Sequence, residues 1–159
     1  MRCYKKVFNK KVLIALLIVF VGIQFFPTKR NHSNKILPTD ITLIYNVPQN
    51  VQSIFETSCY NCHSNNTVYP WYNKVQPVSW LLESHIEEGK SELNFSEFGS
   101  YSMRKRKSKL KAMANQIKDG DMPLFSYTLM HRNARITKNK KTLLLNWINK
   151  EIAAANQGK

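Results

Sequence analysis

Cys59, Cys62 and His63 fall in the order Cys59-Tyr60-Asn61-Cys62-His63. On a helical turn, residues three and four apart share a face, so this spacing presents two thiols and an imidazole to one side. That is the Cys-x-x-Cys-His pattern of covalent haem attachment. Both sulfurs can add to the vinyl groups of one haem edge while His63 reaches the iron as proximal ligand. Other chemistries use the same residue types. A zinc site needs two further ligands, for which His85 and His131 are the candidates. A redox dithiol of the thioredoxin kind wants a βαβ setting. A plain Cys59–Cys62 disulfide would leave His63 without a role. One covalent haem c accounts for all three residues.

Iron bound by His63 either takes a second axial ligand or keeps an open position. Met122, in Gly120-Asp121-Met122-Pro123, is the expected distal ligand. It follows a helix end and precedes a proline that restricts it to extended conformations. Met130 is a rival in the same loop, and His131 would instead give a bis-histidine haem. Met103 and Met113 sit at helical spacings and read as core. His85 falls on an apolar helix face, as a core histidine or a partner of a haem propionate.

These residues must be carried by helices, because no stretch alternates with a period of two and no long internal repeat occurs. Val51, Ile54, Phe55, Cys59 and Cys62 recur at helical spacing after Pro48, which predicts a helix over about 48–60. A second is predicted from Pro77 to about Gly89, with Val78, Leu81, Leu82, His85 and Ile86 inward. The third spans about 102–118 with Leu110, Met113, Ala114 and Ile117 inward and Gly120 past its end. The fourth follows Thr137 as N-cap, with Leu144, Trp147, Ile148 and Ile152 on one face. Residues 121–136 read as a loop. Tyr69, Trp71, Tyr72 and Trp80 read as core, lining the haem crevice. The fold class is all-α: a small cytochrome-like helical domain over 48–155 behind one N-terminal transmembrane helix.

That N-terminal helix follows from Val12 to Phe26, VLIALLIVFVGIQFF, which comes directly after five bases in eleven residues. A basic flank before an apolar run is an export signal, and no small-residue cleavage site follows it. The expected arrangement is a basic cytoplasmic leader over 1–11, an uncleaved signal anchor over 12–26 and a tether over 27–47. The soluble domain then faces the periplasm or exterior of a cell inner membrane crossed once. Fifteen apolar positions span only about 22 Å against about 30 Å of hydrocarbon, so Lys10 and Lys11 must snorkel. Cys3 is then an incidental cytoplasmic thiol, and three cysteines in 159 residues are too few for a disulfide framework.

The net charge of +14 is unevenly spread. Residues 1–11 carry +5, residues 12–50 carry +2, residues 51–100 carry −4 and residues 101–159 carry +11. An export leader plus a dipolar domain is weak support for nucleic-acid binding, which is not expected. The run Arg104 to Lys111, RKRKSKLK, is either a solvated helix face or a docking patch for an acidic redox partner or anionic headgroups.

Several stretches together are similar to a known family. Beside Cys59 to His63 stand Tyr69-Pro70-Trp71-Tyr72, Pro77-Val78-Ser79-Trp80, His85, Glu88-Gly89 and Leu93-Asn94-Phe95-Ser96-Glu97. Asp121-Met122-Pro123, Tyr127 and His131 complete the set. Over about residues 45–150 the chain resembles the bacterial haem-binding domain family related to c-type cytochromes. The resemblance implies Cys59 and Cys62 as thioether sites, His63 as proximal ligand and Met122 as distal ligand. The family commonly has Met-Pro-Pro where this chain has Met122-Pro123-Leu124. The expected activity is one-electron transfer between redox protein partners, a carrier rather than an enzyme. A peroxidase-like haem enzyme, or a ligand sensor with an open distal site, is the alternative. An enzyme would need His131 or His85 as its acid or base, and a sensor would need an output module that eleven leader residues cannot supply.

Overall fold

The computed structural model describes residues 9–33 and 35–157, so Cys3 and most of the basic leader lie outside the described residues. Among the described residues every regular element is helical, and the one extended pairing is an isolated bridge between His32 and Asn66. The α-helices are α1 (Lys10–Ile23), α2 (Ile41–Ile44), α3 (Gln49–Ser58), α4 (Tyr60–His63), α5 (Val78–Glu92), α6 (Met103–Asp119), α7 (Phe125–Met130) and α8 (Lys138–Gln157). Short 3-10 turns cover Trp71–Lys74, Phe95–Ser100 and Arg132–Ala134. The all-α expectation agrees with this. The described residues form two compact units, residues 9–30 with 69–84, and residues 31–33 and 35–68 with 85–157.

The second unit contains the motif. Its core joins Val51, Ile54 and Phe55 of α3 to Leu110 and Ile117 of α6, Leu144, Trp147 and Ile148 of α8, and Phe95 and Phe98. These include the inward faces that helical periodicity predicts for α3, α6 and α8. Phe55 stacks on Phe95 at 5.1 Å between centroids, and Trp147 meets Phe55 edge-on at 5.4 Å. Such pairs add directional preference to the burial of large apolar area. Ser102 caps α6, its side chain accepting from the Lys105 N–H, and Gly120 ends it at φ 85°, a left-handed turn that suits glycine. Thr137 Oγ1 accepts from the Lys140 N–H at 3.4 Å, the expected cap of α8.

Residues 27–47 are not a tether throughout, because residues 31–47 are built into this unit. Ile41 is fully buried in the core. Asp40 caps α2 and also accepts from the Tyr60 hydroxyl at 3.3 Å, which fastens the segment to the motif. The predicted loop 121–136 contains α7 and a 3-10 turn.

The first unit differs from expectation more strongly. α1 is 14 residues long, about 21 Å, and among the described residues no helix is long and apolar enough to cross a membrane. The helix stops at Ile23, short of the predicted Phe26, because the Gln24 side chain turns back to donate to the Phe20 carbonyl at 2.9 Å. Gln24 Nε2 also donates to the Gln76 carbonyl (3.2 Å) and Gln24 Oε1 accepts from the Gln76 N–H (2.9 Å). The aromatic cluster is core only in part: Tyr69 and Tyr72 are half-buried, whereas Trp71 is 75% exposed and Trp80 is also exposed. The predicted inward face of α5 holds in part: Ile86 is buried and Leu82 and His85 are half-buried, but at the start of the helix Val78 and Leu81 are exposed while Ser79 and Glu83 are buried.

Candidate functional site

α3 stops where Cys59 takes φ −127°, and the chain restarts as the single turn α4. The Cys59 carbonyl accepts from the N–H groups of Cys62 (3.2 Å) and His63 (3.0 Å), so the motif forms a closed turn with both cysteines and the histidine on it. The two intervening residues fix this turn, a role that the spacing alone did not reveal. Tyr60 packs its ring against Phe55 and Phe95 and is held to Asp40. Burial, with the Asp40 carboxylate second, raises the Tyr60 phenol above its ordinary range. Asn61 donates to the Tyr127 hydroxyl of α7 at 2.8 Å, and its own Oδ1 accepts from the Val68 N–H at 3.0 Å. The Asn61 carbonyl accepts from Thr67 Oγ1 at 2.7 Å.

His63 is oriented by backbone. Its Nδ1 lies 2.8 Å from the Gly89 carbonyl and 3.0 Å from the Leu93 carbonyl. Carbonyls only accept, so Nδ1 carries a proton, which leaves Nε2 as the nitrogen available to ligate a metal. Such a second contact fixes the tautomer and ring direction of a ligand. Phe95 meets the imidazole edge-on at 6.1 Å.

Gly89 is inside α5 rather than at its end, and the close approach explains the residue. A Cβ at this position would come within 2.8 Å of the Cys62 carbonyl oxygen and 3.3 Å of Cys62 Cβ. Only glycine lets α5 lie directly on the motif turn. Gly89→Ala gains helix propensity, yet the overlap is with backbone that cannot swing aside. It is expected to cost about 1–3 kcal/mol and to shift the carbonyls that orient His63. Thermal unfolding of the purified chain measures the first effect, and its visible spectrum the second. An unchanged spectrum would show that the contact does not align the imidazole.

Two hollows open at this turn. One, of about 170 Å³, is lined by residues that include Cys59, Cys62, His63, His85, Glu88 and Met122. The other, of about 370 Å³, has Cys59, His63 and Met122 in its wall together with Phe95, Lys109 and Met113. Met122 therefore reaches the same space as the motif. It is placed by the turn after α6, where the Gln116 carbonyl accepts from the N–H groups of Gly120, Asp121 and Met122 at 3.1, 3.0 and 3.4 Å. The Met122–Pro123 peptide is cis.

The rivals are separated by placement. Met130 is exposed and His131 stacks on Tyr127 at 4.4 Å, and neither lines these hollows. Burial lowers the His131 pKa. Met103 is not core but exposed, whereas Met113 is half-buried against the core and lines the larger hollow. Met113 is thus a second thioether in reach that helical spacing had absorbed into the core.

The thiol chemistry bears on the zinc and dithiol alternatives. Burial, and then the neighbouring Cys62, pushes the Cys59 thiol up to about 12, and burial also raises Cys62. An attacking dithiol works through a thiolate of lowered pKa, the opposite direction. Among the described residues no group of three or more His, Cys, Asp or Glu side chains could hold a metal ion. Two neutral thiols, an imidazole with its second nitrogen committed to carbonyls, a thioether in the same space and largely hydrophobic surroundings fit a haem. Comparison with curated proteins and with solved structures finds no match. A model of the haem-binding domain family matches residues 18–150 of the 159, and the chain belongs to that family.

Proposed function

We propose that this haem-binding chain is a monohaem c-type cytochrome that carries one electron between protein partners. The observation that carries the reading is the convergence of Cys59, Cys62, His63 and Met122 on one space, with His63 aligned by the Gly89 and Leu93 carbonyls. In this reading Cys59 and Cys62 form the thioethers, His63 is the proximal ligand and Met122 the distal one. Haem bound there supplies the one-electron iron couple; the protein supplies ligands, a low-dielectric wall and fixed geometry. Two ligands anchored on pinned backbone change little between oxidation states.

Docking of an acidic redox partner is supported by the bases of α6. Lys109 lines the larger hollow and pairs with Glu92 at 3.5 Å, and Arg104 and Lys111 on the same helix are exposed. Surface charges of this kind steer encounter more than they hold a complex together. Membrane attachment is supported by the apolar residues of α1, exposed from Val12 to Val21, behind basic residues that favour the cytoplasmic side. That orientation exports the second unit, with 1–11 remaining inside.

A haem enzyme or sensor with an open distal site competes, and one observation favours it: His85 and Glu88 line the smaller hollow and offer an acid and a base there. Absorption spectra decide between them. The full chain, made in a host with cytochrome c maturation, should be low-spin and six-coordinate in both oxidation states and should not bind carbon monoxide rapidly. Ready binding of carbon monoxide by the wild-type chain would move the open-site reading ahead.

A further inference from the structure

The first unit is built with its polarity reversed. A helix at a protein surface ordinarily turns its apolar stripe inward. At the start of α5, Val78, Trp80 and Leu81 are exposed, while Ser79 and Glu83 are buried. Apart from Gln76 Oε1, which is buried without a partner, these buried groups are satisfied internally: Ser79 Oγ bonds Asn73 Oδ1 at 3.2 Å and Thr28 Oγ1 at 3.0 Å, and Glu83 accepts from the Tyr69 hydroxyl at 3.0 Å. The irregular backbone beside the helix is satisfied in the same way. The Phe26 carbonyl accepts from Gln76 Nε2 (3.0 Å) and Trp80 Nε1 (3.1 Å), and the Gln24 amide side chain bonds both the N–H and the carbonyl of Gln76. Internal satisfaction of non-helical backbone is what a lipid environment demands.

These bonds set residues 69–84 at the C-terminal end of α1, where Phe25 and Phe26 are also exposed. The apolar surface of the helix thus continues into Trp71, Trp80 and Leu81. Beside it in sequence stand the bases Lys29, Arg30 and Lys74, against Glu83 as the one acid among the described residues of this unit. Tryptophan beside basic residues is the composition of a membrane–water interface.

We propose that residues 69–84, with Phe25 and Phe26, form a platform seated in the interface of an anionic lipid leaflet, at the end of α1. Trp71, Trp80 and Leu81 enter the headgroup and upper acyl region and Lys29, Arg30 and Lys74 face lipid phosphates. The platform extends the apolar contact of a 14-residue helix that is too short to span the hydrocarbon. It rests on the reading that α1 enters a bilayer.

The test uses the full chain in vesicles of phosphatidylcholine and phosphatidylglycerol doped with a phospholipid that carries a diazirine near its glycerol end. After irradiation, peptides are mapped by mass spectrometry. Label should appear in residues 10–26 and, several-fold above peptides of α6 and α8, in peptides containing Trp71 and Trp80. The double variant Trp71→Ser, Leu81→Ser, at two exposed positions, should lose the label in 69–84 and keep it in 10–26. Label confined to 10–26, or unchanged in the variant, would overturn the platform and leave the anchor intact. A chain that does not float with the vesicles and takes no label overturns the anchor reading itself.

Discussion

A chain carrying Cys59→Ala and Cys62→Ala should lose its haem-stained band on a denaturing gel, whereas the wild-type chain should keep one near 18.6 kDa. Each thioether is a covalent bond that survives denaturation, so loss of both is all-or-none in this assay. Single variants should retain a fainter stained band and a shifted ferrous spectrum, because one vinyl group then remains unsaturated. The double variant should also unfold at a lower temperature. Without a tied cofactor, the residues around the two hollows at the motif lose the atoms they pack against. Haem that leaves the wild-type chain under denaturing conditions would reduce the site to non-covalent binding and end the c-type reading.

Met122→Ala should open the iron. The expected changes are disappearance of the weak far-red sulfur-to-iron band of the ferric protein, rapid binding of carbon monoxide or cyanide, and a lower reduction potential. A drop on the order of 0.1 V is a fraction of the range that axial ligands set. Met130→Ala and His131→Ala should leave the far-red band in place, since neither side chain lines the hollows at the motif. Met113→Ala is the stricter control, because Met113 shares the larger hollow with Met122. If the Met113 variant alone removes the band, the distal ligand comes from α6 and not from the turn after it. If wild-type protein already lacks the band, the open-site reading gains.

The legible parts of this protein are those written in neighbouring residues. Cys59, Cys62 and His63 stand at three- and four-residue intervals, which puts all three on one helical turn, and that spacing is local. Helices α3, α6 and α8 announce themselves by apolar residues at a period of 3.6, and Gly120 by the left-handed turn that follows a helix. The all-α class follows from the same periodicity.

Other features depend on residues far apart in the chain. Gly89 looks like a helix stop; it is a close-contact position because Cys62, 27 residues earlier, lies against it. Tyr60 and Asn61 look like spacers, but one is anchored to Asp40 and the other to Tyr127. Met122, Met113, Met130 and His131 are equivalent donors by type, and only the folding of α6 and its following turn brings the first two into the hollow and leaves the others outside. The apolar face of α5 reads as core throughout, and Ile86 is buried, but Val78 and Leu81 are not, because periodicity reports which residues share a side, never what medium that side meets. Folding turned Val78 and Leu81 outward and buried Ser79 and Glu83, since Asn73, Thr28 and Tyr69 were there to satisfy them. Hydrophobic spacing is a property of the chain, whereas the choice of partner belongs to the three-dimensional packing that competes for each face.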